Sequence, residues 1–473
     1  MIKKLSILLS VLSLFKSTFG YSCNPNTCKP PTCTCASQSP PGGIDPKDAP
    51  QFVILSYDDA VNDSTFSILK DMYKGLAHSN GCPVVATHFV QNLYTNYHQV
   101  QQLYAQGDEI ALHTFGHTAL ASQHEINSGR TVLSTFAGIP LSDIRGFRAP
   151  FLNYTNDLIQ SVQNLGLAYD SSAPTIRQDA SWPYTLDNGF SDTDVDCNTT
   201  GTCGSMTNHN GLWEIPLYSF FYNDASKPPI SMDPPYDNGD LMTLLKDNFN
   251  YRYNGNRQPL AIAVHAVHCN EPEAKVKLFR NFIKWCIGQK DVYFITYSQL
   301  IEYMKNPVKA SDLEGHPAIS CSKFGTYKVN SNTEICDGID NNGDGNIDEG
   351  VVESCGIGNS YFATCFGCPT SEPSIDNPTP LRNGERKTIP QQGCAEGTWD
   401  PLTSNCVSVS GSTYLESIAP EKIITEENND NPGVSVIDTS SELKPSSGTL
   451  SSHTPTSLLT ISIIAILIYT LLH

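Results

Sequence analysis

Asp58 and Asp59 stand side by side at the end of the apolar run FVILSY (52–57). His113 and His117 follow in HTFGH, spaced i, i+4. On one helical turn, two imidazoles at that spacing face the same way and can share a cation. One carboxylate completes a three-ligand set and leaves open positions for water and substrate. Neighbouring carboxylates repel, but a cation lets both ionise. One Asp can then ligate while the other accepts a proton from water at the site. Arg148, in RGFRAPF, can hold that second carboxylate by a charge-assisted pair; the bland alternative is a structural ion pair. His265, at the end of LAIAVH, titrates near neutral pH and is the candidate general acid, set against a hydrogen-bonded core or rim histidine. Singly, an HxxxH or an Asp pair is a weak signal, since surface placement and turns explain most examples.

The elements that must position these groups alternate along residues 45–307. Strands are predicted at 52–57, 84–90, 109–113, 144–149, 167–172, 212–217, 260–265 and 292–297, with helices between several of them, such as 97–107, 155–165, 239–250 and 273–287. Repeated β-then-α units over this length predict an α/β domain with a parallel sheet. The near-eightfold alternation favours a distorted, incomplete (β/α) barrel, with an open doubly wound sheet as the alternative. In a barrel the C-terminal strand ends converge on one face, and the reactive residues all fall at such ends.

The ends of the chain differ in character. Residues 1–20 open with Lys3-Lys4, then an apolar stretch interrupted by Lys16 and then small residues, the layout of a secretory signal peptide. The 16 Cys fit an oxidising compartment. Four of them, Cys23, Cys28, Cys33 and Cys35, predict a small disulfide knot in segment 21–44. Residues 308–410 lose periodicity and gain Cys, Gly and Asn, which predicts a Cys-rich module; 411–447 reads as a disordered stalk. Ser446-Ser447-Gly448, a polar spacer and the apolar tail 458–473 match a GPI-anchor signal (448–473), with a single-span helix as the alternative. Sequons at Asn62, Asn153 and Asn198 fit an extracellular, glycosylated, cell-surface or cell-wall protein. With 29 Lys plus Arg against 48 Asp plus Glu, net charge is −19, which argues against a nucleic-acid partner.

The segments SYDDAVN, HTFGH, RGFRAPF and LAIAVH, in this order over about residues 48–307, resemble the polysaccharide deacetylase family, in its chitin deacetylase-like branch. NGCPVVATHFV, YDSSAP, SWPYTLD and DVYFITYSQLIEYMKNP resemble the same branch. The resemblance implies a distorted (β/α) barrel holding a divalent metal, commonly Zn2+, or another such as Co2+ or Mn2+. It implies Asp59, His113 and His117 as ligands, Asp58 as base, Arg148 as its orienting partner and His265 as acid. It also places the Phe151 backbone N–H at the oxyanion. Ser56, Tyr57 and Ala60 depart from the family's Thr, Phe and Gly without removing a reactive group. The fourth motif is less clear, with Asp170, Trp182 and Asp187 as candidates for supporting His265 or lining the groove; a core role for Trp182 is equally open. The implied reaction is hydrolysis of N-acetyl groups from chitin or another GlcNAc polysaccharide. A non-catalytic wall-binding protein on the same fold, a glycoside hydrolase using Asp58, and a non-haem iron oxygenase are the alternatives.

Two local features stand apart. Cys197 and Cys203 flank a short loop and are expected to pair, while Cys82, Cys269 and Cys286 are odd in number, so that one of them can pair outside the domain. In CDGIDNNGDGNIDE, Asp340, Asn342, Asp344 and Asp348 match the first half of a Ca2+ loop, with Val351 where the bidentate Glu belongs. An Asp/Asn/Gly turn is the equal alternative.

Overall fold

The computed structural model describes residues 21–196, 207–236, 240–270, 272–319, 326–329, 334, 336–358, 360–382, 398–400, 405–407 and 414–418. The segment expected to be a signal peptide, Cys197 and Cys203, Asn198 and the segment expected to be an anchor signal lie outside the described residues. Among the described residues no helix is long and apolar enough to cross a membrane.

β1 (Gln51–Asp58) is buried along its whole length, as its near-continuous apolar run demands of a central parallel strand. One edge of β1 carries β8 (Leu260–His265); the other is shared by β9 (Val292–Phe294) at its start and β2 (Thr87–Val90) at its end. Parallel pairing continues from β2 through β3 (Glu109–Leu112), β4 (Gly146–Phe147), β5 (Tyr169–Asp170) and β7 (Trp213–Glu214). β6 (Tyr184–Thr185) closes the path antiparallel to β7. From β1 to β5 the strands follow chain order without the reversal that a doubly wound sheet requires, so the architecture is the distorted (β/α) barrel. Each predicted strand overlaps an observed one, although 144–149, 167–172 and 212–217 shrink to two paired residues each. The pair Tyr184–Thr185 has no apolar alternation and was not predicted.

Helices cover the outer face. They are α1 (Asp63–Tyr73), α2 (Tyr97–Ala105), α3 (Gln123–Ala137), α4 (Asn156–Asn164), α5 (Asp240–Asn254), α6 (Ala266–Cys269), α7 (Ala274–Ile287) and α8 (Tyr297–Lys305). Their starts follow local chemistry. Asn62 and Thr65 form a reciprocal capping box at α1, as do Thr296 and Gln299 at α8, and Ser122 and Thr155 cap α3 and α4. Gly138, at φ 69°, ends α3 in the left-handed conformation that costs glycine least.

Alternation along β1 sorts the core. Val53, Leu55 and Tyr57 join the layer under the helices, while Phe52 and Ile54 join the barrel interior with Phe89, Tyr169, Trp182 and Tyr297. Ser56 and Asp58 share the parity of Phe52 and Ile54, so the strand aims them into the barrel.

The N-terminal knot is cross-linked as Cys23–Cys35 and Cys28–Cys33. Thr185 N–H donates to Thr34 O (2.9 Å), and Thr34 N–H to Thr185 Oγ1 (3.0 Å), which lays the knot along β6. The C-terminal module contains Cys336–Cys365 and Cys355–Cys368 and an antiparallel hairpin, Glu353–Ile357 with Ser360–Thr364. Phe362 of the hairpin packs edge-on against Tyr97 of α2 and Phe136 of α3. Cys82 is disulfide-bonded, whereas Cys269 and Cys286 are buried free thiols. Tyr414–Ile418, near the start of the expected stalk, pairs antiparallel with Thr326–Val329.

In the Asp/Asn-rich loop the side-chain oxygens accept from nearby backbone N–H groups. Asp340 accepts from Gly343 and Gly345 N–H, Asn342 from Asp344 N–H, and Asp344 from Asn346 N–H. Asp348 turns into the protein, where it accepts from Asp337 and Gly338 N–H and pairs with His98 Nε2 of α2 at 2.5 Å. Such bonds form in an Asp/Asn/Gly turn and in a cation-binding loop alike, and Asp348 docks the module on α2 through His98.

Gly146 in β4 has the Tyr169 ring against it, so that a Cβ at this position would overlap the ring. Gly146→Ala is therefore expected to destabilise the protein by about 1–3 kcal/mol through overpacking. Urea unfolding checks this; an unchanged midpoint contradicts the β4–β5 packing.

Candidate active site

The site grows from the C-terminal ends of β1, β3, β4 and β8. Arg148 follows β4 and is fully buried. A buried guanidinium needs an acceptor for each of its five N–H groups. Arg148 meets the requirement: Nε donates to Ser171 O (2.8 Å), Nη1 to Asp58 Oδ1 (2.6 Å) and Ser56 Oγ (3.2 Å), and Nη2 to Tyr297 OH (2.8 Å) and Ser171 Oγ (3.2 Å). Its plane also lies 4.0 Å over the Phe89 ring. Burial disfavours the cation, but the charges of and hydrogen bonds to Asp58 and Tyr297 together outweigh it and raise the Arg148 pKa. The pair keeps one oxygen of Asp58 fixed, while Oδ2 faces His113 Nε2 at 4.0 Å.

Asp59 leaves the strand with φ 82°, strained for a residue with a side chain. The turn swings its carboxylate to the opposite side from the helix layer, toward three imidazoles. Oδ1 lies 3.3 Å from His117 Nε2 and 3.7 Å from His113 Nε2, and Oδ2 lies 3.8 Å from His265 Nε2.

His113 and His117 do not ride on a helical turn. After Leu112 the chain enters a tight turn with Thr114 and His117 at φ 63° and 59°. Asn92 and Leu93 N–H both donate to Phe115 O, pinning the turn to the β2–α2 connection and preventing helical continuation. The two rings still meet, with centroids 5.0 Å apart. His113 Nδ1–H donates to Arg148 O at 2.9 Å, which leaves the Nε2 lone pair turned toward Asp59. Burial holds the His113 pKa below its ordinary value despite the raising pull of Asp58 and Asp59, favouring the neutral ring.

This geometry fits a cation. Asp59 Oδ1 is buried and has no hydrogen-bond partner among the described residues, yet it faces imidazole nitrogens. A carboxylate oxygen and a lone pair facing each other repel unless a proton or a cation stands between them. Tetrahedral zinc, with bonds of about 2.0–2.1 Å, spaces its ligand atoms about 3.4 Å apart, close to the separations found here. One oxygen of Asp59 and one nitrogen of each His lie within 4.8 Å of one another.

His265, at the end of β8, faces the cluster from the other side. Asp233 holds it twice, accepting from its backbone N–H (2.7 Å) and from Nδ1–H (2.6 Å). Burial alone would lower the His265 pKa; the Asp233 hydrogen bond and charge, with Asp58 and Asp59, raise it to about 9. Burial would likewise raise Asp233, but its bond to His265 holds it below the usual carboxylate range.

Asp233 was missed by the sequence reading, which offered Asp170, Trp182 and Asp187 for this support. The signal for it is thin: an Asp before Pro234 in an aperiodic loop, bent to φ 52°. Asp187 instead accepts from Gly211 N–H (3.1 Å). Trp182 is buried in the interior core, where its indole N–H donates to Asn256 O and its ring lies by Tyr303. Tyr303 in turn packs on Phe52 at the start of β1, so Trp182 lies at the end of the barrel opposite the cluster and lines no groove there. Asp170 is buried behind Arg148. Ser172 Oγ–H donates to Asp170 (2.7 Å) and accepts from Ala149 N–H (2.8 Å), tying β5 to the Arg148 segment. Burial pushes the Asp170 pKa up to about 6.

Phe151 occupies a short helical turn, Pro150–Leu152, at φ 59°. Leu152 and Asn153 N–H bond back to Ala149 and Pro150 O, and the Phe151 N–H has no acceptor among the described residues. Its exposed ring stands edge-on to His117 at 4.5 Å. Of the sequons, Asn153 is exposed, and Asn62 is half-buried as the cap of α1.

The sequence profile of the polysaccharide deacetylase family matches residues 45–169. Chitin deacetylase 8 of Bombyx mori is 32% identical over 333 residues, covering 65% of this chain and 85% of that protein. Chitin deacetylase 1 of Bombyx mori is 27% identical over 395 residues, covering 76% of this chain and 68% of that protein. Among solved structures, the chitin deacetylase of the fungal pathogen Colletotrichum lindemuthianum aligns with a TM-score of 0.30 at 16% identity, covering 53% of this chain and 88% of that one.

The His265–Asp233 pair generates a titration test. By NMR on the metal-free chain, His265 is expected to titrate near 9, and in Asp233→Asn to fall by one unit or more as burial prevails. An unchanged titration refutes Asp233 as the group that raises it.

Proposed function

This chain belongs to the polysaccharide deacetylase family, and on that premise we propose that it hydrolyses N-acetyl groups from chitin, a β-linked GlcNAc polymer, giving acetate and glucosamine residues. The observation that carries the reading is the juxtaposition of a carboxylate clamped by Arg148 with the Asp59–His113–His117 cluster, and of His265 across from both.

Asp59, His113 and His117 would hold a divalent cation, zinc being the best match to one oxygen and two nitrogen donors. When bound, that ion would polarise the acetamide oxygen and make a nearby water easier to deprotonate. Asp58 is the base. Arg148 fixes one oxygen, so that Oδ2 is the one free to take the proton from the attacking water. The Phe151 N–H, left free by its turn, faces the charge that develops on the acetyl oxygen. His265, held protonated by Asp233, gives its proton to the departing sugar nitrogen. The His113 bond to Arg148 O ties the ligand set and the base to one segment, which sets their spacing.

The setting follows from the two ends of the chain. A signal peptide, a GPI anchor, a disulfide-stabilised ectodomain and glycans on Asn62, Asn153 and Asn198 would place the enzyme on the outer face of the membrane, against wall polymer.

Incubation of the purified protein with chitin oligomers tests the reading. Acetate should appear, vanish with chelator and return with zinc. Asp58→Asn should slow release by about 10²–10⁴-fold while bound metal stays at the wild-type level. His113→Ala should lose metal and activity together. Binding of oligomers with no acetate release would instead indicate a wall-binding protein on the same fold, and shortened oligomers a glycoside hydrolase.

A further inference from the structure

His268 has no part in the reaction above, yet it stands beside the proposed acid. It is exposed on α6, three residues beyond His265, and the two rings lie 5.6 Å apart. Asp233, His265 and His268 each offer a ligand atom, and these atoms lie within 4.8 Å of one another. The carboxylate is already positioned: Asp233 N–H donates to Ala263 O (3.1 Å), and Asp233 Oδ1 accepts from His265 N–H. Two imidazoles and one carboxylate are the donors that bind zinc well, and the cluster is open to solvent, so an ion can reach it.

The geometry points to a second, inhibitory zinc site formed by Asp233, His265 and His268. A zinc ion held there would replace the proton between His265 Nδ1 and Asp233 Oδ2, the proton would leave to solvent, and the two atoms, now 2.6 Å apart, would open to about 3.4 Å. His265 becomes a neutral imidazole, and its remaining N–H, on the face toward Asp59, is a far weaker acid than an imidazolium. The leaving amine then has no proton donor. This consequence rests on the role proposed for His265; the binding itself does not. The second ion should bind more weakly than the first, because one ligand is an exposed side chain that must be immobilised.

Calorimetric titration of the chelator-stripped full chain with zinc provides the test. Two binding events are expected in the wild type. The weaker should weaken further by about 10–100-fold in both His268→Ala and His268→Gln, and it should persist in Asp59→Ala, which loses the tighter event. Acetate release at excess zinc, divided by release at one equivalent, should fall about tenfold in the wild type and stay near unity in the two His268 variants. A single binding event in the wild type, or a weaker event indifferent to both His268 substitutions, overturns the site. Absence of acetate at every zinc level would count against the deacetylase reading alone, since the titration still decides the second site.

Discussion

The buried ion pair between Arg148 and Asp58 is the interaction on which the rest of the structure depends. Neither partner could be buried alone, since removing one side of such a pair typically costs about 3–5 kcal/mol. All five donors of Arg148 are used, and their acceptors come from β1, from the segment after β5 and from the start of α8. One side chain therefore registers three parts of the barrel against each other. A lysine would supply the charge without the planar set of directions that reaches all of them. The aromatic floor of Phe89, Tyr169 and Tyr297 beneath it excludes water and keeps the pair in low dielectric.

Strain collects around this pair. Asp59, Thr114, His117, Phe151 and Asp233 all carry positive φ, although none is glycine. Such conformations persist where surrounding bonds over-determine them. Here those bonds are visible: the Phe115 carbonyl held by two amides, the Arg148 carbonyl held by His113, and the Asp233 carboxylate held by the His265 amide. Regular strands aim Asp58 and His265, and strained turns aim the groups around them.

Much of this was legible from residue order. The apolar run 52–57 placed Asp58 and Asp59 at a strand end, the family resemblance assigned their roles, and the four motifs at strand ends gathered into one cluster. Turn geometry was not legible. The HxxxH spacing suggests a helical turn, yet a two-bond anchor to a neighbouring loop brings the same two rings together without one. Asp233 escaped because its loop has no period, and its function depends on a contact 32 residues away. Trp182 looked like a groove residue because aromatic rings serve sugars and cores alike; only its burial separates the two uses. The Asp-rich loop carries a ligand-like pattern whose oxygens accept from their own backbone and, at Asp348, pair with His98.

The knot at the N-terminus bears on how the protein survives outside the cell. A curled sheet whose ring of pairings stays open exposes a terminal strand, and bare strand edges recruit other chains. Here β6 is that border, and Thr34 lies along it. Two short disulfide loops stiffen the covering segment, so that it cannot easily peel away. Oxidation of four cysteines thus guards colloidal solubility at a place remote from the chemistry, and a reductant would threaten the molecule first through self-association.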